Sequence, residues 1–331
     1  MRRRYLYIVG GIGALLVVSA IMLADRPIPT ELTYGVSFSK FHADELRLDY
    51  RVVLIALLDD LKIRKFRFSA HWPMIEPVKD RYDFTHLDYQ MRQARARNAQ
   101  VILGVGRRLP GWPECHQPEW VNTLTLLERQ EEALEYVRAV VLRYRSYDNI
   151  SHWQVENEPF LTGFSQETCM GLDTEFLEKE IALVRELDPS RPIILTDGGE
   201  FGRWLPAWKR ADVFGSTMYL YIWHPQFGQI RYPVGPWYFR IKRSIIEILG
   251  GDKPSMVIEL AAEPWLLQAI IETELDVQLD RMGIDKFNEV LTFSRRTSFD
   301  TFYLWGAEWW YWLKTTQQHP EFWERSRDLF K

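Results

Sequence analysis

From residue 33 onward the chain alternates short apolar runs with longer amphipathic ones, eight times over. The runs Tyr34–Phe38, Ile63–Phe68, Gln100–Val105, Ser151–Val155, Pro192–Thr196, Val213–Met218, Ser255–Glu259 and Thr301–Trp305 have the length and bounding turns of buried strands. Helical periodicity fills the intervals, most clearly over Tyr50–Leu61, Leu87–Arg97, Glu119–Tyr144, Asp173–Leu187, Trp237–Leu249 and Leu279–Arg296. No linker or change of composition divides residues 33–331, so they form one domain. Eight strand-helix units in about 300 residues predict a single α/β domain, the (β/α)8 or TIM barrel. A doubly wound sheet is the alternative, but a glycine-rich phosphate turn is missing after the first strand. Gly10, Gly11 and Gly13 lie in an N-terminal apolar run, and Gly104-Val105-Gly106 lacks the required spacing.

That apolar run is a separate object. Met1-Arg2-Arg3-Arg4 precedes Tyr5 to Ala24, twenty residues without a charge, long enough to cross a hydrocarbon core of roughly 30 Å as a transmembrane helix. The three arginines hold its start in the cytoplasm, so the sequence predicts an anchored protein with everything after Asp25 extracytoplasmic. Val18-Ser19-Ala20 is also an acceptable cleavage site, and cleavage after residue 20 would release the domain. Residues 1–25 are thus the anchor or signal segment and 26–32 a short linker. A net charge of −4 gives no footing for nucleic acid, and a monomer is expected.

In a barrel, function gathers where strands end. The fourth strand ends in Asn157-Glu158-Pro159, where proline cannot continue the ladder, and the seventh in Glu259. Two glutamates three units apart on one rim can converge over the barrel axis. At a separation of roughly 5–5.5 Å such a pair runs double displacement on a glycoside: one protonates the glycosidic oxygen and the other attacks the anomeric carbon. Arg67, at the end of the second strand, needs an acid partner, and with Tyr219 it is a natural support for the nucleophile; Asn157 suits the 2-hydroxyl. Trp72 either stacks on a sugar or closes the barrel mouth. Trp112, Glu114 and His116 suit a subsite wall, His224 and Glu308 stand at the ends of the sixth and eighth units, and Asp197-Gly198-Gly199-Glu200 holds either ligand-facing acids or a turn.

These residues resemble the retaining glycoside hydrolases of clan A, especially the cellulase-like family 5 type. The resemblance spans most of residues 33–310 and rests on Arg67-Phe68-Ser69, Trp72, Asn157-Glu158-Pro159, Tyr219, Ile258-Glu259 and Trp305. It implies Glu158 as acid/base, Glu259 as nucleophile, Arg67 and Tyr219 as its supports, Asn157 as the 2-hydroxyl ligand and Trp305 as the sugar platform. Two departures concern the subfamily and substrate: Gly106-Arg107 stands where many relatives carry a histidine, and Leu260-Ala261 follows Glu259 in place of an aromatic-glycine pair. Glu263 is a rival nucleophile, though Pro264 places it in a loop.

The only cysteines, Cys115 and Cys169, fall in loops after adjacent strands, which predicts a disulfide in an extracytoplasmic protein. No metal site or cofactor is expected, since the seven histidines form no helical pair. The expected partner is a carbohydrate, cleaved by hydrolysis. A transglycosylase using the same glutamates, or a non-catalytic sugar-binding barrel at the cell surface, are the alternatives.

Overall fold

Residues 22–161, 169–170, 172–266 and 268–331 are described by the computed structural model. The strands in chain order are β1 (Thr33–Phe38), β2 (Lys65–Ser69), β3 (Gln100–Val105), β4 (Ile150–Val155), β5 (Ile193–Asp197) and β6 (Val213–Met218). An antiparallel hairpin of β7 (Tyr221–His224) and β8 (Gly228–Arg231) follows, then β9 (Ser255–Ala261) and β10 (Thr301–Trp305). All but the hairpin pair in parallel, and β10 meets β1 to close the eight-stranded barrel. Each of the eight predicted strands is present, and the hairpin is additional to them.

Alternation along the strands builds two cores. Side chains such as Phe66, Phe68, Leu103 and Val257 pack outward beneath the helices. Ile102, Ile194, Val213, Met256, Ile258 and Tyr303 fill the barrel interior. Arg67 sits between the outward residues Phe66 and Phe68, so the two-residue period turns it inward.

Two of the predicted helices divide. Glu119–Tyr144 is a 3₁₀ turn, Glu119–Thr123, followed by the helix Leu126–Tyr144, which starts afresh because Thr125 and Glu128 form a reciprocal cap. Leu279–Arg296 is two helices, Leu275–Arg281 and Ile284–Ser294, separated at Met282-Gly283. Cys115 and Cys169 are joined, with Cα atoms 5.3 Å apart, as the sequence predicts. No helix among the described residues is long and apolar enough to cross a membrane, and all but the last three residues of Tyr5–Ala24 lie outside them. The expected linker is not wholly free: Arg26 forms an ion pair with Glu247 on the helix Pro236–Gly250.

Candidate active site

A buried guanidinium organises the strand ends. Arg67 donates to the Glu259 carboxylate at 2.6 Å, to Asn157 Oδ1 at 2.7 Å and to Gln154 Oε1 at 2.8 Å, so its fork ties β2 to the ends of β4 and β9. The Tyr219 hydroxyl donates to the other oxygen of Glu259. Asn157 Oδ1 also accepts from the Thr196 hydroxyl at 3.2 Å, which commits the carbonyl side of the amide and directs its NH2 elsewhere.

The position of Glu259 depends on a bulge. Strict alternation after the inward Ile258 would send it to the outer layer. Both neighbouring strands instead skip a residue: on β6 the register passes from Ser216 opposite Val257 to Thr217 opposite Glu259, and on β10 from Phe302 opposite Val257 to Leu304 opposite Leu260. The extra residue re-aims Glu259 toward the axis, a recognised use of bulges beside active sites.

Glu158 reaches the same place from β4. Its backbone N–H donates to Thr196 Oγ1 at 2.7 Å, and Arg108 donates to its carbonyl at 2.8 Å. The Thr217 hydroxyl donates to its carboxyl at 2.8 Å. Thr217 is the residue in register beside Glu259, so the threonine that bonds Glu158 is the neighbour of Glu259 on the adjacent strand. Both Glu156 and Glu158 hold positive φ, 57° and 47°, a conformation uncommon for residues with side chains and concentrated at functional sites.

The two acids have opposite surroundings. Glu259 has a guanidinium and a phenol; Glu158 is pushed up to about 8, first by burial and then by the negative charges of Glu114 and Glu259, against the pull of Arg108 and the Thr217 bond. Arg108 also pairs with Glu114 at 2.8 Å, in the segment after β3 that leads to the bridged Cys115.

Trp305, at the end of β10, donates from its indole to Glu263 at 2.6 Å. The other Glu263 oxygen meets His42 Nε2 at 2.8 Å, and His42 stacks on Trp305 with centroids 5.5 Å apart. Glu263 therefore supports the tryptophan rather than standing with Arg67. Its neighbour Gly306 requires φ +117°, and a Cβ there would meet Glu263 Cβ at 2.7 Å. Trp112 is 68% exposed in the loop after β3.

Three sequence expectations need correction. Trp72 is fully buried, stacked on Tyr136 and bonded to Glu76, so it has no face for a sugar. Glu308 is also buried, its carboxylate receiving the Ser39 N–H at 2.5 Å, which makes it part of the wall between β1 and the last units. His224 sits near the hairpin tip, paired with Gly228 and stacked on Phe227, while the hairpin base is Tyr221 opposite Arg231. Asp197 accepts from the N–H groups of Gly198 and Trp204, so its stretch is a turn. Gln154, Thr196, Thr217 and His42 went unnoticed in the sequence. Three of these had a signal in the two-residue period: Gln154 shares the parity of Glu158, and Thr196 and Thr217 share that of the inward Ile194 and Val213.

The family model described as beta-galactosidase, glycoside hydrolase family 42, matches residues 54–188. No curated protein matches the chain. Among solved structures, the chain is similar to an exo-beta-1,4-mannosidase from Opitutaceae bacterium strain TAV5, with 17% identity, 83% of this chain and 51% of that one covered, and a TM-score of 0.55. A beta-galactosidase from the Antarctic haloarchaeon Halorubrum lacusprofundi gives 13%, 83%, 52% and 0.57. Xylanase 10B from Thermotoga petrophila RKU-1 gives 16%, 87%, 84% and 0.54. The chain spans about half the length of the first two.

Proposed function

We propose that this chain, a clan A glycoside hydrolase barrel, cleaves β-glycosidic bonds with retention, by double displacement. The observation that carries the reading is the pair Glu158 and Glu259, joined through Thr217 and held in opposite electrostatic settings. Glu158, with its carboxyl pushed up to about 8, is protonated at neutral pH and gives its proton to the glycosidic oxygen. Glu259 attacks the anomeric carbon as the bond to that oxygen breaks, forming a glycosyl ester. Esterification removes the Glu259 charge, one of the influences holding the Glu158 carboxyl up. Glu158, now a carboxylate, takes a proton from water as the water displaces Glu259, and both residues return to their starting states.

Arg67 and Tyr219 hold Glu259 for in-line attack, Asn157 offers its amide to the 2-hydroxyl, and Trp305 is the platform beneath the sugar. Trp112 supplies an outer aromatic surface. Similar structures described as a mannosidase, a galactosidase and a xylanase favour a β-linked pyranoside as substrate. The run Tyr5–Ala24 behind three arginines favours a domain tethered at the outer face of a membrane, in keeping with the Cys115–Cys169 disulfide.

The test is a panel of activated 2-deoxy-2-fluoro β-glycosides, which form the ester but hydrolyse it slowly. Peptide mapping of the inactivated protein is expected to find one sugar on Glu259. A sugar on Glu263, or turnover of a parent glycoside with its anomeric configuration inverted, would overturn the assignment.

A further inference from the structure

The helix Pro236–Gly250 packs Phe239 and Ile246 against the barrel. At about 100° per residue, Trp237, Ile241, Ile245, Ile248 and Leu249 share a separate arc of its surface. An outer barrel helix ordinarily shows water a polar face. Here Ile245 is 41%, Ile248 74% and Leu249 57% exposed.

Beside that arc the chain enters the fold. The Ser244 hydroxyl donates to the Leu23 carbonyl at 2.8 Å, and Arg26 donates to Glu247 at 3.0 Å. Met22 is 72% exposed. The twenty-residue uncharged run from Tyr5 therefore ends, at Ala24, against the same end of the same helix that bears the exposed isoleucines. The termination of the run and the apolar arc are independent features, one of sequence and one of packing, and they meet at one place.

We propose that Ile245, Ile248, Leu249 and Met22 rest in the interfacial layer of a lipid bilayer, so that the barrel wall docks on the membrane that residues 5–24 enter. The inference rests on reading that run as a membrane span. A span ending at Ala24 brings the ordered contacts of Leu23 and Arg26 to the lipid boundary, and a bilayer is the partner whose chemistry suits a charge-free surface there. The helix leads from the hairpin to the start of β9, so its last turns lie at the barrel base. Glu158 and Glu259 stand at the opposite, strand-end face. Docking by the base wall leaves the site open to substrate arriving from the far side of the membrane.

The full chain, reconstituted in phosphatidylcholine vesicles, carries the test. Ile248→Cys and, as a control, Val52→Cys on the helix Tyr50–Asp59 are labelled with an environment-sensitive nitrobenzoxadiazole dye; both native cysteines are in the disulfide. Both proteins are expected to float with the vesicles. The dye at 248 should then emit to the blue of the dye at 52 and lose at least half its emission to lipids spin-labelled near the headgroup, with little loss at 52. Flotation with equal, weak quenching at both sites would overturn docking while leaving the tether intact. A blue-shifted but unquenched dye at 248 would overturn it too, showing the stripe covered by protein, either a second copy or the chain's own N-terminal run. Failure to float would remove the span, and the inference with it.

Discussion

Replacing Arg67 with lysine keeps a positive charge inside the barrel but loses the fork. The three shortest bonds of the guanidinium go to Glu259, Asn157 and Gln154 at 2.6, 2.7 and 2.8 Å. An ammonium placed to hold Glu259 cannot also reach two carbonyl oxygens set at the guanidinium's fixed angles. Two charge-assisted bonds disappear, each worth about 1.5–3 kcal/mol, and two buried oxygens lose a donor. If only the lower bound of about 3 kcal/mol falls on the transition state, kcat drops by about two powers of ten. The remaining loss should appear as a lower melting temperature. The assay is steady-state hydrolysis of whichever aryl β-glycoside the parent protein cleaves, beside a thermal melt. A lysine variant with kcat within threefold of the parent and an unchanged melt would refute Arg67 as the residue that joins the three strand ends.

The remaining expectations are more compact. The alkaline limb of kcat/KM should fall near pH 8, where Glu158 loses its proton, and Glu114→Gln should move that limb to lower pH because the Glu114 charge helps hold it up; an unmoved limb would break the link. Glu308 is pushed up to about 7 by burial, so the native state holds its proton where an unfolded carboxyl has lost it, and stability declines as pH rises from about 4.5 through 7. The gap is worth on the order of 3 kcal/mol, and Glu308→Gln should flatten that decline in denaturant titrations across the interval; an equally steep decline would locate the dependence elsewhere. Reducing the Cys115–Cys169 bridge, whose ends are 54 residues apart, should lower stability by about 4 kcal/mol in the chain-entropy picture, read as a shifted denaturation midpoint, and two free thiols in the isolated protein would reject the bridge.

The barrel was legible because its evidence is local: each strand is a short apolar run, and eight of them separated by amphipathic stretches admit few arrangements. Adjacent loop positions likewise made the cysteine pairing readable. Helix ends were less so. The break before Leu126 is set by a cap of Thr125 and Glu128 that the continuous amphipathic pattern overrides in a periodicity reading. Tryptophan faces were less readable still. Trp72 follows β2 and Trp305 ends β10, yet one is sealed against Tyr136 and the other is braced by Glu263 from a different strand-end loop. Nothing within a few residues of either distinguishes them.

Glu259 shows what kind of information the sequence withholds. Its strand character and acidic side chain are visible locally, but its direction depends on a one-residue mismatch with both β6 and β10. Were β9 regular, the same residue would point under the helices, where an ionised carboxylate would be costly to bury without a partner. The bulge and the Arg67 fork therefore need each other: the guanidinium makes an inward carboxylate tolerable, and the displaced register brings that carboxylate within reach of the guanidinium. Thr217 links this arrangement to the second acid, because the register that places it beside Glu259 also lets its hydroxyl reach Glu158. A single irregularity between three strands thus sets the direction of one glutamate and puts beside it the threonine that bonds the other, and no pattern along one stretch of sequence records it.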